Sequence, residues 1–333
     1  MEGRRLKKAL LSGVGAATPE KVLTNFDFEK MVETTDEWIV TRTGIRERHV
    51  VENGTVGTDL ALEASQKALR EAGLSPEELD LILLGTVTPD YIVPSSACIL
   101  QKKLGAVHAA AMDVVAGCTG FIYGLATANA FIQSGLYKNI LVIGVEVLTK
   151  LTNYKDRNTC VLFGDAAGAV VVQAAAPEEQ RGILSTFLAA DGSLADLLYV
   201  PIGGTVEPLT PENYDQRGQY IKMAGNEVFK SAVREMGEAA ALALEKAGCS
   251  ADELTLLIPH QANIRIIEAT AKRVGLPMEK VYVNIDRYGN TSSASVPLAL
   301  WEARQTGRVK EGDLILMVAF GAGFTWGSIL VRL

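Results

Sequence analysis

The chain contains an internal repeat, and this repeat limits its fold more than any other feature of the sequence. Residues 64–83 (ASQKALREAGLSPEELDLIL) align without gaps with residues 239–258 (AAALALEKAGCSADELTLLI), at a shift of 175, and nine of the twenty pairs are identical. Each copy predicts an amphipathic helix that ends at a glycine and is followed by a buried strand. A repeat of this length predicts two similar α/β halves, residues 1–175 and 176–333.

Two weaker matches extend the repeat. AGCTG (116–120) falls opposite YGNTS (288–292) at a shift of 172, and GDAAGAVVV (164–172) resembles GFTWGSILV (323–331) in character. Similar halves usually pack about a pseudo-two-fold axis, which brings equivalent positions together. On this alignment Cys118 and Asn290 are equivalent, so we expect them to be neighbours.

Short apolar runs alternate with amphipathic helices along the chain. The runs at 79–85, 139–147 and 167–173 predict strands, and their continuous apolarity indicates a sheet with helices on both faces. The first residues, MEGRRLKKALLSGVG, superficially resemble a signal peptide. Their apolar part is short and interrupted by Gly13 and Gly15, so we expect a first β-strand instead.

The composition restricts the class of protein. Of the 333 residues, 48% are hydrophobic and 21% are charged, which is typical of a globular chain with a large core. The net charge of −7 argues against a nucleic-acid partner, and no stretch approaches the roughly 20 apolar residues of a membrane span. The four cysteines form no CxxC pair, which predicts reduced thiols in the cytoplasm.

Three polar residues are candidates for chemistry. Cys118, in DVVAGCTGF, precedes a predicted helix over 119–133, whose dipole and free backbone N–H groups would lower the pKa of the thiol. His260 follows the carboxyl end of a buried strand, where α/β sheets bind ligands. Asn290 lies in the segment RYGNTSSAS. Together they predict a nucleophile with hydrogen-bond donors, which is what acyl transfer needs.

Each of these residues also has a structural interpretation. A free cysteine is often an inert core residue, a lone histidine is often structural, and asparagine beside glycine commonly forms a turn. The glycine-rich segments GVGAAT (13–18) and GAGFTWG (321–327) do not complete G-x-G-x-x-G, and no HExxH or P-loop motif is present. The motifs therefore predict no metal and no nucleotide cofactor.

Six motifs occur in order along nearly the whole chain: DEWIVTRTGIRERH (36–49), AGCTGF (116–121), FGDAAGAVV (163–171), HQANIRII (260–267), GNTSSASVP (289–297) and FGAGFTWGS (320–328). Together they resemble the β-ketoacyl-[acyl-carrier-protein] synthase III family. The resemblance implies the thiolase fold, a five-layered αβαβα sandwich of two similar halves. It also implies a homodimer.

The resemblance further implies that the chain starts fatty acid synthesis without a cofactor. An acyl group from acyl-CoA would move to Cys118, and malonyl-acyl carrier protein would lose carbon dioxide and attack the acyl-cysteine. His260 and Asn290 would donate hydrogen bonds to the malonyl thioester oxygen. The backbone N–H groups of Cys118 and Ala322 would form a second oxyanion hole.

Binding residues follow from the same motifs. The resemblance assigns Trp38, Arg42 and Arg157 to the adenine end of CoA and Asn263 to its pantetheine arm, and stacking between a ring and a guanidinium explains the first three residue types. The residues implied in docking acyl carrier protein are Gln261, Ala262, Asn263, Ile264, Arg265 and Lys272, with Arg273 beside them. A local basic patch would let an acidic chain bind an acidic partner.

Two positions depart from the family pattern. The turn GAG has Ala322 where many relatives have glycine, which matters only if that residue needs a positive φ. Val93 stands where some relatives have phenylalanine, at a position that caps the acyl pocket of the partner subunit. We expect the smaller side chain to admit longer or branched primers.

Four other functions are compatible with parts of this sequence. Thiolases need a second catalytic cysteine, but Cys249 lies in a helix-to-strand connection. Elongating synthases need a second histidine, and His49 and His108 have unsuitable contexts. A secondary-metabolite ketosynthase or acyltransferase with the same three residues stays the closest rival. A non-catalytic acyl-CoA-binding protein would not need the three polar residues together.

Overall fold

Two β-sheets form the frame of the chain in a computed structural model that describes residues 7–52, 54–176 and 178–333. The strands are β1 (Ala9–Ala17), β2 (Val22–Thr24), β3 (Glu47–His49), β4 (Leu81–Gly85), β5 (Ala110–Val114), β6 (Asn139–Val147), β7 (Asp165–Ala174), β8 (Gly182–Ala190), β9 (Leu198–Tyr199), β10 (Lys222–Met223), β11 (Leu256–Pro259), β12 (Leu314–Gly321) and β13 (Thr325–Arg332). The α-helices are α1 (Asn25–Glu29), α2 (Asp36–Thr43), α3 (Gly57–Ala72), α4 (Ser96–Leu104), α5 (Gly120–Ser134), α6 (Arg157–Cys160), α7 (Gly225–Ala247), α8 (Ile264–Val274), α9 (Ile285–Tyr288) and α10 (Ser295–Gln305).

The two sheets share one strand order. The first runs β1-β7-β6-β4-β5 and the second runs β8-β13-β12-β11. Each sheet has one corresponding parallel pair (β4 with β6, β11 with β12), and the two pairs that follow on the side of β6 or β12 are antiparallel. The first sheet has an additional strand, β5, which pairs parallel with β4. A parallel bridge between Leu257 and Val281 stands where β5 stands in the first sheet.

The helices form three layers around the sheets. Helices α5 and α10 lie between the sheets, in a core shared with side chains from both. Helices α3 and α4 cover the outer face of the first sheet, and α7 and α8 cover that of the second. Along β4, Leu81 and Leu83 point to the middle layer and Ile82 and Leu84 to the outer one, which explains the continuous apolar runs. The expected five-layered αβαβα sandwich is confirmed.

The repeated sequence forms repeated local structure. Helix α3 ends at Gly73 and α7 ends at Gly248, both in the left-handed conformation that glycine adopts without strain. A short 3-10 turn follows each helix. In the first, the Ser75 N–H donates to Glu78, and in the second the Ser250 N–H donates to Glu253, so both turns are closed by the same capping box.

The structure corrects the second part of the sequence alignment. The 3-10 turn Gly117–Thr119 leads into α5, and the turn Ser292–Ala294 leads into α10 at the same shift of 175. The structural counterpart of Cys118 is therefore Ser293, and the expected equivalence with Asn290 at a shift of 172 is wrong. Small polar turn residues look alike, and only the helix starts fix the register.

The other predicted elements agree with the structure. The helix expected over 119–133 is α5, and the apolar runs are β4, β6 and β7. The expected first strand is β1, although residues 1–6 of that segment lie outside the described residues. Within the described part of the chain, none of the helices has the length and apolar character that crossing a bilayer requires.

Candidate active site

Backbone contact between two turns sets the position of Cys118. Gly117 has φ +54, and a Cβ built on it would lie 2.7 Å from the Ala322 backbone nitrogen. A Cβ built on Gly321 would lie 2.4 Å from the Cys118 backbone nitrogen. Only glycine allows such an approach, so these two residues bring the Cys118 and Ala322 backbones together.

A threonine holds these two turns together. The Thr325 hydroxyl lies 2.9 Å from the Ala116 carbonyl oxygen, 3.1 Å from the Ala322 carbonyl oxygen and 2.8 Å from the Thr119 hydroxyl. It thereby connects the segment before Cys118 to the turn that contains Ala322. Sequence analysis missed this residue, because a threonine at the start of an antiparallel strand is common.

Ala322 fits its turn without strain. Among the described residues other than glycine, only Arg217 and Ser292 have a positive φ. Alanine in place of glycine therefore leaves the conformation of the GAG turn accessible. Its backbone N–H donates to no acceptor in the described part of the chain and is free for a ligand.

His260 follows β11 directly and is only 2% exposed. Its backbone N–H donates to the Val318 carbonyl (2.8 Å), and its Nδ1 lies 2.6 Å from the Ser295 hydroxyl, which accepts a longer bond from the Gln261 N–H (3.4 Å). With Ser295 donating to Nδ1, Nε2 carries the hydrogen and is a donor. Burial lowers the pKa of His260 to about 3, so the imidazole is neutral at physiological pH.

Asn290 is fixed from both sides. Its backbone N–H donates to the Leu162 carbonyl (2.9 Å), and its carbonyl accepts from the Gly164 N–H (3.0 Å). Its side-chain Oδ1 accepts from the Ser292 N–H (2.9 Å). The amide is thereby oriented with its NH₂ group left to donate elsewhere.

Cys118 lies where two cavities meet. The first, the His260 cavity of about 110 Å³, is lined by Cys118, His260 and Asn290 together with Asn263 and Phe229. The second, the apolar cavity of about 190 Å³, is lined mainly by hydrophobic side chains: Val87, Leu148, Leu151, Phe163, Leu198, Val200 and Ile221. The three residues singled out from the sequence therefore face one space, with an apolar space beyond the thiol.

The expected effect on the thiol is reversed. Burial raises the pKa of Cys118 to about 12, and the nearby Glu146 carboxylate acts in the same direction. Hydrogen bonding by Ser292 opposes the rise without cancelling it. The prediction of a lowered thiol pKa is therefore wrong for the free chain, because desolvation outweighs the stabilisation expected at a helix start.

Three of the residues assigned to CoA form a stack. The Arg157 guanidinium lies 5.0 Å from the centre of the Trp38 ring, and that of Arg42 lies 5.9 Å from it. Asn263 caps α8, and its side-chain NH₂ donates to the Arg42 carbonyl (2.9 Å). The four residues thus form a continuous surface that reaches the His260 cavity through Asn263.

The residues assigned to carrier-protein docking divide into two groups. Arg265 and Lys272 are exposed on α8, and the Arg265 guanidinium lies 5.2 Å from the Phe229 ring. Ala262, Asn263 and Ile264 are half-buried at the start of this helix.

Gln261 does not fit a docking role. It is 1% exposed, its NH₂ group donates to the Pro259 and Tyr282 carbonyls, and its Oε1 accepts from the Asn284 N–H. Its assignment to the docking surface is wrong, because its amide is fully used in holding the end of β11.

Val93 lines neither cavity at Cys118. It is 82% exposed on the loop before α4. Tyr91 and Ile92 of this loop border a surface hollow of about 620 Å³, which shares Val87, Leu151 and Val200 with the apolar cavity. An effect of Val93 on primers would have to act on another subunit.

Two residues considered for rival chemistry lie away from Cys118. Cys249 and His49 line neither cavity, and the described residues contain no group of three or more His, Cys, Asp or Glu placed to hold a metal. All four cysteines are free.

Comparisons with known proteins agree on one family. Residues 112–192 match the family model of 3-oxoacyl-[acyl-carrier-protein] synthase III, and residues 244–333 match the model of its C-terminal part. A β-ketoacyl-[acyl-carrier-protein] synthase III from Caldanaerobacter subterraneus subsp. tengcongensis is 54% identical over 96% of both chains. The crystal structure of such a synthase from Aquifex aeolicus is 52% identical, covers 98% of this chain and 100% of its own, and superposes with a TM-score of 0.90. One from Thermus thermophilus is 45% identical, covers 97% and 98%, and has the same TM-score.

Proposed function

The chain belongs to the 3-oxoacyl-[acyl-carrier-protein] synthase III family, and we propose that it catalyses the first condensation of fatty acid synthesis. It takes an acyl group from acyl-CoA onto Cys118 and condenses it with malonyl-acyl carrier protein. The products are 3-oxoacyl-acyl carrier protein, CoA and carbon dioxide. The observation that carries the proposal is the placement of Cys118 between the His260 cavity and the apolar cavity.

Acyl transfer uses the apolar cavity. The hydrocarbon of the primer occupies the apolar cavity, and its thioester carbonyl lies against the backbone N–H groups of Cys118 and Ala322. These donors stabilise the negative charge on the tetrahedral intermediate. The Cys118 sulfur forms the new bond as the CoA sulfur leaves.

Condensation uses the His260 cavity. The malonyl thioester oxygen accepts hydrogen bonds from His260 Nε2 and the Asn290 NH₂ group. Loss of carbon dioxide leaves negative charge on this oxygen, and donors fixed before the reaction stabilise it without reorganisation. The resulting carbanion attacks the acyl-cysteine. A neutral imidazole suits this role, since its Nε2–H donates while the ring stays uncharged.

Mass spectrometry of the intact chain tests the proposal. Incubation with a panel of acyl-CoA primers should add the mass of the acyl group to wild type and leave Cys118→Ala unchanged. Malonyl-acyl carrier protein should then remove the adduct and yield a 3-oxoacyl product. An unmodified Cys118 with every primer would falsify the proposed function.

The exposed cations of α8 form the proposed docking site for acyl carrier protein. Arg265 and Lys272 are seven residues apart, which places them on one helix face near the opening marked by Asn263. Arg265→Glu should raise the KM for malonyl-acyl carrier protein about tenfold while leaving the KM for acyl-CoA nearly unchanged. Arg70→Glu, on α3 of the other half, is the matched control. Equal losses for both substrates would argue against docking at Arg265.

We also propose that the chain forms a homodimer in the cytoplasm. Strand β5 is the last strand of its sheet, and apolar side chains on it and beside it are exposed: Ile92, Val93, Val107, Met112 and Val115. An open edge strand next to exposed apolar groups is the type of surface that a second copy covers. Light scattering should give twice the chain mass for wild type and a smaller mass for Met112→Lys.

In such a dimer, Val93→Phe should restrict the accepted acyl-CoA primers to shorter chains.

A further inference from the structure

Glu146 is a buried carboxyl group whose function the condensation chemistry leaves open. It is 0% exposed near the end of β6. Its oxygens accept hydrogen bonds from the Thr88 hydroxyl (2.8 Å), the Val87 N–H (3.1 Å) and the hydroxyls of Ser292 (3.1 Å) and Ser293 (3.0 Å).

No cation compensates this group. In residues 7–52, 54–176 and 178–333, no ion pair includes Glu146. A carboxylate without a counter-ion is costly to bury, and burial raises the pKa of Glu146 to about 7. A group with that pKa gains and loses a proton readily at physiological pH.

Ser292 connects this carboxyl group to the nucleophile. Its hydroxyl donates to Glu146 (3.1 Å), and Ser292 lines the apolar cavity together with Cys118, where its hydroxyl lowers the pKa of the thiol. Its φ of +50 is uncommon for serine, and the bond from its N–H to Asn290 Oδ1 holds it there. The hydroxyl therefore lies between the sulfur and the carboxylate.

The thiol proton needs an acceptor. Cys118 is protonated in the free chain, and a thiol must lose its proton to become a nucleophile. His260 is a poor acceptor, because burial lowers its pKa to about 3 and its Nε2 already carries a hydrogen. Glu146, reached through one hydroxyl, is the better base.

We propose that Glu146 accepts the Cys118 proton through the Ser292 hydroxyl during acyl transfer and returns it after condensation. This inference rests on the proposed function. It assigns to Glu146 and Ser292 a proton relay that works beside the oxyanion donors His260 and Asn290.

The steps balance over one turnover. Ser292 takes the thiol proton as its own proton passes to Glu146, the bond from Cys118 sulfur to acyl carbon forms, and the carbon–sulfur bond to CoA breaks. The CoA thiolate takes a proton from solvent. After decarboxylation the malonyl carbanion bonds to the acyl carbon, the Cys118 thiolate leaves, and Glu146 returns its proton through Ser292.

The charges around Glu146 favour this exchange. Segment Thr86–Thr88 and the Ser292–Ser293 turn face the carboxyl group with uncharged donors, and Cys118 is the titratable group that interacts with it. Two negative charges this close are unfavourable, so the thiolate and the carboxylate share one proton between them.

Single-turnover acylation as a function of pH tests the relay. In wild type the rate should rise with pH and level off above about pH 7. Glu146→Gln keeps the size of the side chain but cannot take a proton. Its rate at pH 7 should be lower on the order of 10²-fold and should keep rising to pH 9, since only spontaneous thiolate reacts.

Two matched variants isolate the chemistry from the fold. Asp165→Asn removes another buried carboxylate, which accepts hydrogen bonds from Thr149 and Val51, and it should keep the wild-type profile. Ser292→Ala should act like Glu146→Gln. Ser293→Ala removes a second hydroxyl that bonds to Glu146 but keeps the path through Ser292, so its acylation rate should still level off with pH, at a higher pH than in wild type. This serine pair carries the test if Glu146→Gln fails to fold.

If Glu146 acts only through its negative charge, Glu146→Gln should change the acylation rate in the opposite direction. Removing the charge of Glu146 would then lower the thiol pKa, and Glu146→Gln would acylate as fast as wild type or faster. That result, or the same pH profile for the two serine variants, overturns the relay. Failure of wild type itself to become acylated would instead overturn the proposed function.

Discussion

The two halves of the chain share a backbone plan and differ at three structurally equivalent positions. Where β4 of the first half ends in Gly85, the second half has His260 directly after β11, at the same shift of 175. Cys118 of the first turn corresponds to Ser293 of the second. Glu146 of β6 corresponds to Gly321 of β12.

These differences are complementary across the centre of the molecule. The Ser293 hydroxyl donates to the Gly85 carbonyl (2.9 Å) and to Glu146, while Gly321 makes room for the Cys118 backbone. The second half therefore leaves space at Gly321 for the Cys118 turn of the first half, and the first half supplies hydrogen-bond acceptors for the Ser293 turn of the second. A duplicated scaffold provides two similar turns that face each other, and the chemistry comes from the positions at which they differ.

Substitutions at the two equivalent turn positions, Cys118 and Ser293, should have the largest effect on acyl transfer. Cys118→Ala should reduce acyl transfer to the limit of detection, because the nucleophile is gone. Adding Ser293→Cys should not restore it, since that position is 1% exposed and faces Gly85 and Glu146. Acyl adducts measured by mass spectrometry decide this, and acylation of the double variant would show that the halves are interchangeable.

Removing a donor of the second half should have the next largest effect. Asn290→Ala loses a hydrogen bond to the enolate oxygen and should slow condensation about 10²–10³-fold. Cys118 should still accept an acyl group, because the other oxyanion hole is intact. Separate measurement of acylation and condensation checks this. Blocked acylation with intact malonyl decarboxylation would reverse the roles given to the two halves.

The buried carboxylate of the first half should make stability depend on pH. Folding raises the pKa of Glu146 from 4.5 to about 7, so the folded chain keeps a proton that the unfolded chain releases. Below pH 4.5 this group makes its full contribution to the free energy of unfolding, about 3 kcal/mol. That contribution is lost as the pH rises through 7.

Denaturation of wild type and Glu146→Gln between pH 4.5 and 8 measures this term. The free energy of unfolding of the variant, relative to that of wild type, should increase as pH rises. In the control Glu179→Gln, the pKa of the missing group is lowered to about 2 by Arg181, so its difference from wild type should stay constant over this range. If the free energies of unfolding of Glu146→Gln and wild type differ by the same amount at every pH, Glu146 does not make stability depend on pH.

The glycine that corresponds to Glu146 should be sensitive to a single methyl group. A Cβ on Gly321 would lie 2.4 Å from the Cys118 nitrogen, so Gly321→Ala should lower the free energy of unfolding by about 1–3 kcal/mol and slow acylation. Gly192→Ala, where a Cβ would meet nothing within 4 Å, is the control. Denaturant unfolding compares the two, and equal stability would mean that the two turns can move apart.

Sequence alone was sufficient for features that depend on local chemistry. Gly73 and Gly248 predicted the two repeated helix ends, and apolar runs predicted the strands. Cys118 stood out at the start of a predicted helix, His260 at the end of a buried strand, and Asn290 through the repeat alignment, whose register at that point was wrong. The structure brings them to one cavity.

Other features depend on distant contacts. The shift of 172 was wrong because similar turn residues do not fix where a helix begins. The thiol pKa was wrong because its burial comes from elements far along the chain. Glu146 gave no signal of its role, since its partners Ser292 and Ser293 lie nearly 150 residues away.

The side chains shared by the apolar cavity and the surface hollow have a consequence for product range. Val87, Leu151 and Val200 border both spaces, so the side chains of these three residues lie between the far end of a long primer and the hollow. The surface that covers the hollow then limits the length of the hydrocarbon that the apolar cavity accepts. Exchange of a few exposed loop residues can retune the fatty acids made, while everything that touches the sulfur stays unchanged.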